Sequence, residues 1–552
     1  MQSDSLDIHE LSRRIAPAQP SSTASAQTSR LSYLTPPEIL AQIFYYCIPS
    51  EQFPIPSLNE APLLLTRISS YWRTLAINIP DLWSAFHINY KDPAEDIPAA
   101  NLWLARSTNR PLSISLAIDF GEKSQQAILD ALCRHSNRWK YVRFDFRHLY
   151  CLPMYSLDIA EGSVPHLATF EFHARDISST NLFQITRLLK TAPRLHQVTW
   201  VDDLADTNML LELPLNQLTH LSLVMDHGTL DYIQILNRCS NLQHIKIAHP
   251  LLSSHQIYSS NPFPLFLHTL TSLDISYDLT AVLDHLVLPA LKHVSILTPN
   301  HGSDKRVQLY STQPYSYESL LHHSHYLHLQ PQITHTTRAE LWDPSPLISL
   351  IDRSTCDITT LSLSAPMVEN ALLLCLSKIS PSLLTLELEG VEVGDKALSY
   401  LTRRRRHSRR PFGVVGEPEH TEDDLGNEET DSVDEDFLCP NLQDLILHNQ
   451  IISSQGVLAD MIASRLTHND SETSMDPSSS LSNHRYSTRN ANRTTLRKLV
   501  IVDGHQDLDR LKELSLSQFS TGGFKVCIIS PKPTLKGRKR NYFFRRKLCA
   551  SR

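Results

Sequence analysis

The sequence predicts an α/β protein: a small helical module near the start, then an irregular solenoid of strands alternating with helices. Two observations predict it. Between residues 31 and 90 lie two amphipathic helix patterns, each carrying proline close to its start. Beyond them a six-residue phrase, L-x-x-L-x-L with other large apolar residues allowed, keeps returning. It reads LATFEF at Leu167, LHQVTW at Leu195, LTHLSL at Leu218, LQHIKI at Leu242, LTSLDI at Leu270, LKHVSI at Leu291, ITTLSL at Ile358, LLTLEL at Leu383, LQDLIL at Leu442 and LRKLVI at Leu496. WKYVRF at Trp139 is an earlier copy. Alternating large apolar and polar residues have the period of a half-buried strand; the stretches between, such as NLFQITRLLKTAP, have that of a helix.

Composition narrows the function. The chain has 552 residues, enough for roughly two to four domains. It is 41% hydrophobic and 20% charged with a net charge of −7, not the balance of a nucleic-acid binder. Only 14 glycines accompany 33 prolines, and neither G-x-x-x-x-G-K-[ST] nor G-x-G-x-x-G occurs, so a phosphate-cradling loop is not expected. No nucleophile elbow or H-E-x-x-H stretch is present, so the protein is expected to be non-catalytic and to need no cofactor. The first twenty residues lack an apolar core, and no run of 18 apolar residues occurs; neither a signal peptide nor a membrane span is expected. Nine scattered cysteines without a C-x-x-C pair fit a reduced, intracellular protein, cytoplasmic or nuclear.

The first thirty residues, rich in Ser and Ala, read as disordered. In LTPPEILAQIF, Thr35 is placed to cap a helix, with Glu38 completing a capping box. Pro36 then falls at the first helical position, where its missing N–H costs nothing. Pro37 pushes Pro36 away from helical angles, which allows a start one residue later. Leu34 and Ile39 are spaced as a hydrophobic staple. Ile39, Leu40, Ile43, Phe44 and Cys47 form one apolar face. A second pattern, cappable by Asn59 and with Pro62 near its first turn, carries the stripe Leu64, Ile68, Trp72 and Leu75. Pro80 ends it, a short turn carries Leu82 and Trp83, and SAFHINY reads as a strand. Such a face either packs within its own domain or meets a partner.

The segment PPEILAQIFYYCIP … APLLLTRISSYWRTLAINIPDLWSAFHI resembles an F-box of the type common in mushroom-forming fungi. That type has a Pro-Pro-Glu-Ile-Leu start, an Ile-Phe pair, an aliphatic run, Trp-Arg and a late Pro-x-Leu-Trp, and all are present. One departure is Thr35, where the family usually has Leu directly before the first proline. The resemblance covers about a tenth of the chain. It implies docking to the Skp adaptor of a cullin–RING ubiquitin ligase, and through that adaptor to the cullin. The contacts it implies are Pro37, Ile39, Leu40, Ile43 and Phe44 on the first helix and Leu64, Ile68 and Trp72 on the second.

The phrase and its 21- to 28-residue intervals up to Leu291 are those of leucine-rich repeats. The Asn or Cys that normally follows each strand is replaced by Arg175, Asp203, Asp226, Pro250, Asp278 or Pro299, so an irregular solenoid without an Asn ladder is expected. Its boundaries read as F-box 31–90 and solenoid 91–402, a charged insert 403–437, a repeat at 438–466, a polar insert 467–494, a final repeat 495–530 and a basic tail 531–552. RPLSISLAIDF near Arg110 would be the first strand, sealed by Trp103 and Leu104 on the preceding helix. Both inserts read as disordered loops.

Alternate strand positions share the concave face. That places Thr169, Glu171, His173, Gln197, Thr199, His220, Ser222, His244, Lys246, Ser272, Asp274, His293 and Ser295 in one field. Glu171, His173, Gln197, His220, His244, Lys246, Asp274 and His293 are its candidate substrate-binding residues, for a protein whose identity the sequence does not name. His220 and His244 on neighbouring strands raise a metal site, but no Cys or carboxylate completes a ligand set. HHSHYLHL at His322 reads as a polar loop rather than a metal site. RRRRHSRR at Arg403 and the tail read as solvated segments, nuclear import signals or RNA-binding patches. The reading that joins these parts is a substrate-recruiting F-box subunit of an SCF-type ubiquitin ligase; its alternatives are a ligase-independent scaffold and a nucleic-acid binder.

Overall fold

The structure, a computed structural model, describes residues 35–49, 53–118, 125–147, 156–175, 178–202, 206–225, 230–248, 263–298, 341–403, 437–448, 451–466, 496–502, 511 and 525–529. It divides into two compact units, Met1–Pro366 and Met367–Arg552. The first opens with helices α1 (Pro37–Cys47), α2 (Leu65–Ile68) and α3 (Ser70–Ile77). A 3-10 turn at Pro80–Trp83 leads into strand β1 (Ala85–Tyr90).

The start of α1 corrects the expected cap. The N-cap position is Pro36 at φ −52°, ψ 140°, a residue whose ring has no group to cap with. The ring of Pro37 excludes helical angles at Pro36, so the helix begins one residue past the Thr35 capping box. The Pro36 carbonyl accepts from Ile39 N (3.1 Å) and Leu40 N (3.2 Å), closing the first turn. Leu34, the other half of the expected staple, lies outside the described residues. The second pattern is also not one helix. Ser69, at φ −155°, ψ 164°, breaks it, and its Oγ accepts from Trp72 N at 3.1 Å to start α3. A serine's preference for capping over helix interiors explains the break.

Strands and helices then alternate: α4 (Pro93–Arg106), β2 (Leu112–Ile118), α5 (Gln125–Cys133), β3 (Trp139–Arg147), α6 (Ser156–Ala160), β4 (Thr169–Arg175), α7 (Ser179–Lys190), β5 (Gln197–Asp202), α8 (Thr207–Leu211), β6 (His220–Met225), α9 (Tyr232–Asn237), β7 (His244–Ala248), β8 (Leu265–Phe266), β9 (Ser272–Ser276), a 3-10 helix Tyr277–His285, β10 (Leu286–Val287), β11 (His293–Leu297), α10 (Ser345–Ser354) and β12 (Thr360–Leu363). The main sheet runs β1-β2-β3-β4-β5-β6-β7-β9-β11-β12, all parallel, and β8 pairs with β10 beside it. Sequential parallel order with a helix after most strands makes the unit α/β and solenoid-like. The sheet begins one strand earlier than expected: β1, the SAFHINY strand, pairs with β2 from Ala85↔Ser113 onward.

Each strand phrase buries its large apolar residues, and most leave the alternates half-exposed, as in the i-B-i-B-i-B pattern of β6. Aromatic side chains run through this core: Phe144 meets Phe170, Phe146 meets Phe172, and Phe172 meets Trp200 at 4.8 Å. Of the six residues that replace the Asn ladder, Arg175 and Asp278 lie within the described residues. A backbone ladder just before the strands joins the turns instead. Ala168 N donates to Lys140 O, His196 N to Ala168 O, Thr219 N to His196 O, Gln243 N to Thr219 O, Thr271 N to Gln243 O and Lys292 N to Thr271 O. Thr219 and Thr271 add their hydroxyls to the same carbonyls. One backbone N–H and one carbonyl of each turn are thereby paired, and the Gln217 amide adds bonds to Ala192 O and Leu195 O.

The helical module shares the core of the first repeat. Trp83 is fully buried, donates Nε1–H to Ala76 O at 2.9 Å, and packs edge-on against Trp103 at 5.1 Å. The Arg106 guanidinium lies 4.3 Å from the Trp83 ring centre. At the surface, Tyr45 donates to Asp81 (3.0 Å), which also pairs with Arg110 (2.9 Å).

The second unit contains α11 (Glu369–Ile379), β13 (Thr385–Glu389), β14 (Val393–Gly394), α12 (Asp395–Leu401), β15 (Asp444–His448), β16 (Ile451–Ile452), α13 (Val457–Leu466), β17 (Lys498–Val502) and β18 (Lys525–Ile529). Its sheet runs β13-β15-β17-β18 in parallel, with β14 paired to β16. Strand β18 and the two short pairs were not anticipated; two-residue strands carry no readable period. Leu401, at the end of α12, and Leu438–Cys439 are held together by one side chain. Arg465 on α13 donates to Leu401 O (2.8 Å) on one side, and to Leu438 O (2.9 Å) and Cys439 O (2.9 Å) on the other. Phe437 lies over its guanidinium. The expected inserts, the basic tail and HHSHYLHL fall outside the described residues, except for Arg403 and the edges of the inserts.

Candidate functional site

Two surfaces of the first unit hold the candidate residues. On the helical module, the eight residues do not share one environment. Leu40 is 3% exposed and Phe44 0%, whereas Ile39 is 52%, Ile43 43%, Leu64 40% and Ile68 54% exposed. Pro37 is exposed and Trp72 half-buried. Phe44 packs on Trp72 with ring centres 4.9 Å apart, so these two join α1 to α3. Leu40 and Phe44, expected to face a partner, are turned into the module's own core in this chain, Phe44 by its contact with Trp72. Ile39, Ile43 and Tyr46, at i, i+4 and i+7, line the outward face of α1. The Ser69 break separates Ile68 from Trp72 and leaves Leu64 and Ile68 outward.

On the concave face the strand register brings five of the eight candidates together. Gln197 lies opposite His220, His220 opposite His244, and Lys246 opposite Asp274. These line one hollow of about 190 Å³. His293, opposite Ser272, stands at its rim. The rings of His220 and His244 stack at 4.3 Å and 17°, and Thr219 Oγ1 meets His220 Nδ1 at 2.9 Å. Burial, with His244 and His196 adding to it, lowers the His220 pKa below that of an ordinary histidine. Burial raises that of Asp274, against the pull of Lys246, His244 and His293.

Glu171 and His173 sit apart from the hollow. Glu171 accepts from Tyr141 OH at 2.6 Å and lies 3.8 Å from Arg143. His173 is opposite Asp145 and Val201 in the next row along the sheet. Tyr141, Arg143 and the His87–Ser115 pair (2.9 Å) extend the polar field toward the module and were not among the candidates. The alternation in WKYVRF was the signal for the first two. No sequence signal announced Phe53, whose ring packs edge-on against Tyr141 at 5.0 Å, or Pro54, whose carbonyl accepts from His87 N on the edge of β1. Ser115 and Arg143 are buried at this end, while the hollow around His220 stays open.

Among the described residues no three His, Cys, Asp or Glu side chains converge as a metal would require, and no helix is long and apolar enough to cross a membrane. The stacked imidazoles present faces to one another rather than two nitrogens to one ion.

No family model matches the chain, and no curated protein matches it. It is similar to a solved structure, the crystal structure of the Rad7 and Elc1 complex in yeast, at 12% identity and a TM-score of 0.28, over 73% of this chain and 95% of that one. That likeness is too loose to bear on function. What fold and site define together is an α/β, solenoid-like protein with a parallel sheet, a helical module at its first strand and a polar sheet face holding one hollow.

Proposed function

We propose that the protein is a substrate-recruiting F-box subunit of an SCF-type ubiquitin ligase: the helical module docks a Skp adaptor and the concave face holds a protein substrate. The observation that carries this reading is the exposed apolar set Ile39, Ile43, Leu64 and Ile68 on a module whose core is already filled by Leu40, Phe44 and Trp83. Isoleucines and leucines left outside a complete core are what a helix-in-groove partner takes up. Trp83 and Trp103 join the module to the first repeat, so the two binding surfaces are held at a set distance. The chain then catalyses nothing; it raises the effective concentration of substrate near the ubiquitin-charged enzyme.

The test is a set of single substitutions. Ile39→Ala, Ile43→Ala and Ile68→Ala leave the melting temperature within a few degrees, since exposed side chains contribute little to folding. At least one of them weakens adaptor binding about thirtyfold, the loss of an anchor worth about 2 kcal/mol. Leu40→Ala and Phe44→Ala instead destabilise the module by about 2–5 kcal/mol. A folded wild-type chain that fails to bind the adaptor at micromolar concentration removes the ligase reading in favour of a ligase-independent scaffold.

A further inference from the structure

We propose that the hollow between β5 and β9 is a subsite for an anionic oxygen group, a carboxylate or a phosphate monoester, carried by the protein that the concave face binds. This names a ligand chemistry for the surface assigned above and rests on that reading. Its lining is rich in donors. From β5 come the Gln197 amide and the Thr199 hydroxyl, from β6 Ser222 and His220, from β7 His244 and Lys246, and from β9 Ser272. Against these, Asp274 is the one carboxylate among the residues that line it. The Lys246 ammonium donates no hydrogen bond among the described residues; it stands in register with Ser222 and with Asp274, whose carboxyl is the one opposite charge it feels in the hollow. A half-buried cation with three unused donors, ringed by hydroxyls and imidazoles, is matched by an oxyanion.

The stacked histidines make the site pH-sensitive. The groups that face them are Gln197 on β5 with His196 just before it, Thr219 and Ser222 on β6, Lys246 on β7, Ser272 and Asp274 on β9, and His293 on β11. Before binding, burial first and then the neighbouring His244 and His196 disfavour a positive charge on His220, which is neutral at pH 7. An oxyanion reverses that balance: it raises the pKa of His220, and it raises that of Asp274 further. Both changes take up protons on binding. Affinity is therefore higher at low pH and falls as pH rises through the range in which bound His220 gives up its proton.

Calorimetry on the full chain tests this without the adaptor, so this subsite and the ligase reading can fail separately. Inorganic phosphate and a hexaglutamate peptide are the anionic probes, and hexalysine the control; whichever anion binds more tightly identifies the source of the oxyanion. At least one anionic probe should bind about tenfold more tightly at pH 6.0 than at pH 7.5, with proton uptake shown by the dependence of the heat on buffer. Lys246→Gln should weaken binding about tenfold or more, while Asp274→Asn should strengthen it, each with an unchanged melting temperature. Three results overturn the proposal: no saturable binding of either anionic probe at millimolar concentration, equal binding by wild type and Lys246→Gln, or hexalysine binding that Asp274→Asn abolishes. Proton uptake is read on the wild-type chain alone and does not depend on any variant folding.

Discussion

Leu221→Asp unfolds the first unit under conditions in which Ser222→Asp remains folded. The two residues are neighbours on β6, but the pleat sends them to opposite faces. Leu221 is 2% exposed and lies in register between Val198 and Ile245. Removing its side chain costs about 2–5 kcal/mol through lost burial and the cavity left behind. An unpaired carboxylate in that cavity adds several kcal/mol more. The total reaches about 5 kcal/mol or above, comparable to the whole stability of a typical domain. Ser222 lines the open hollow opposite Lys246, so an aspartate there stays solvated and gains an opposite charge. Its stability should change by about 0.5 kcal/mol or less. Urea unfolding measures both, and equal midpoints would mean that the strand register is off by one residue.

Arg465→Ala should destabilise the second unit by about 3–5 kcal/mol, lowering its unfolding midpoint by roughly 10 °C. One guanidinium satisfies the carbonyls of Leu401, Leu438 and Cys439. Its loss leaves three acceptors with no donor, each costing about 1–3 kcal/mol where water does not replace it. Burial pushes the Arg465 pKa down to about 10, still far above neutral pH, so the group is charged under physiological conditions. Arg465→Lys recovers only part of the loss, because an ammonium on a flexible stem does not present a planar fork of donors. Calorimetry of the three proteins settles it: an alanine variant with the wild-type midpoint would show that the clamp contributes nothing.

The strands were legible because their signal is local. An apolar residue at every second position has one way to bury that set, and each copy of the phrase from Trp139 to Leu496 is a parallel strand with those residues inside. Strand β18 escaped because KVCII lacks the leading leucine and spacer of the phrase. The interruption at Ser69 lay in plain sight as a Ser-Ser pair, yet the helical spacing of Leu64, Ile68 and Trp72 outweighed it. Arg465 carried no sequence signal at all; its partners are 26 to 64 residues away.

The helical module shows where local pattern stops being informative. Spacing places Ile39, Leu40, Ile43 and Phe44 on one apolar face, but a face wider than its packing partner must leave part of itself outside. Which part depended on where α3 lay, and α3 lay where it did because Ser69 broke the chain and Trp83 tied its last turn to Trp103. On the concave face, likewise, the sequence determined which side chains point outward. Only the parallel register decided that His220, His244, Lys246 and Asp274, from three strands, line a single hollow, since a strand's neighbours across the sheet are set by hydrogen bonding between segments far apart in sequence.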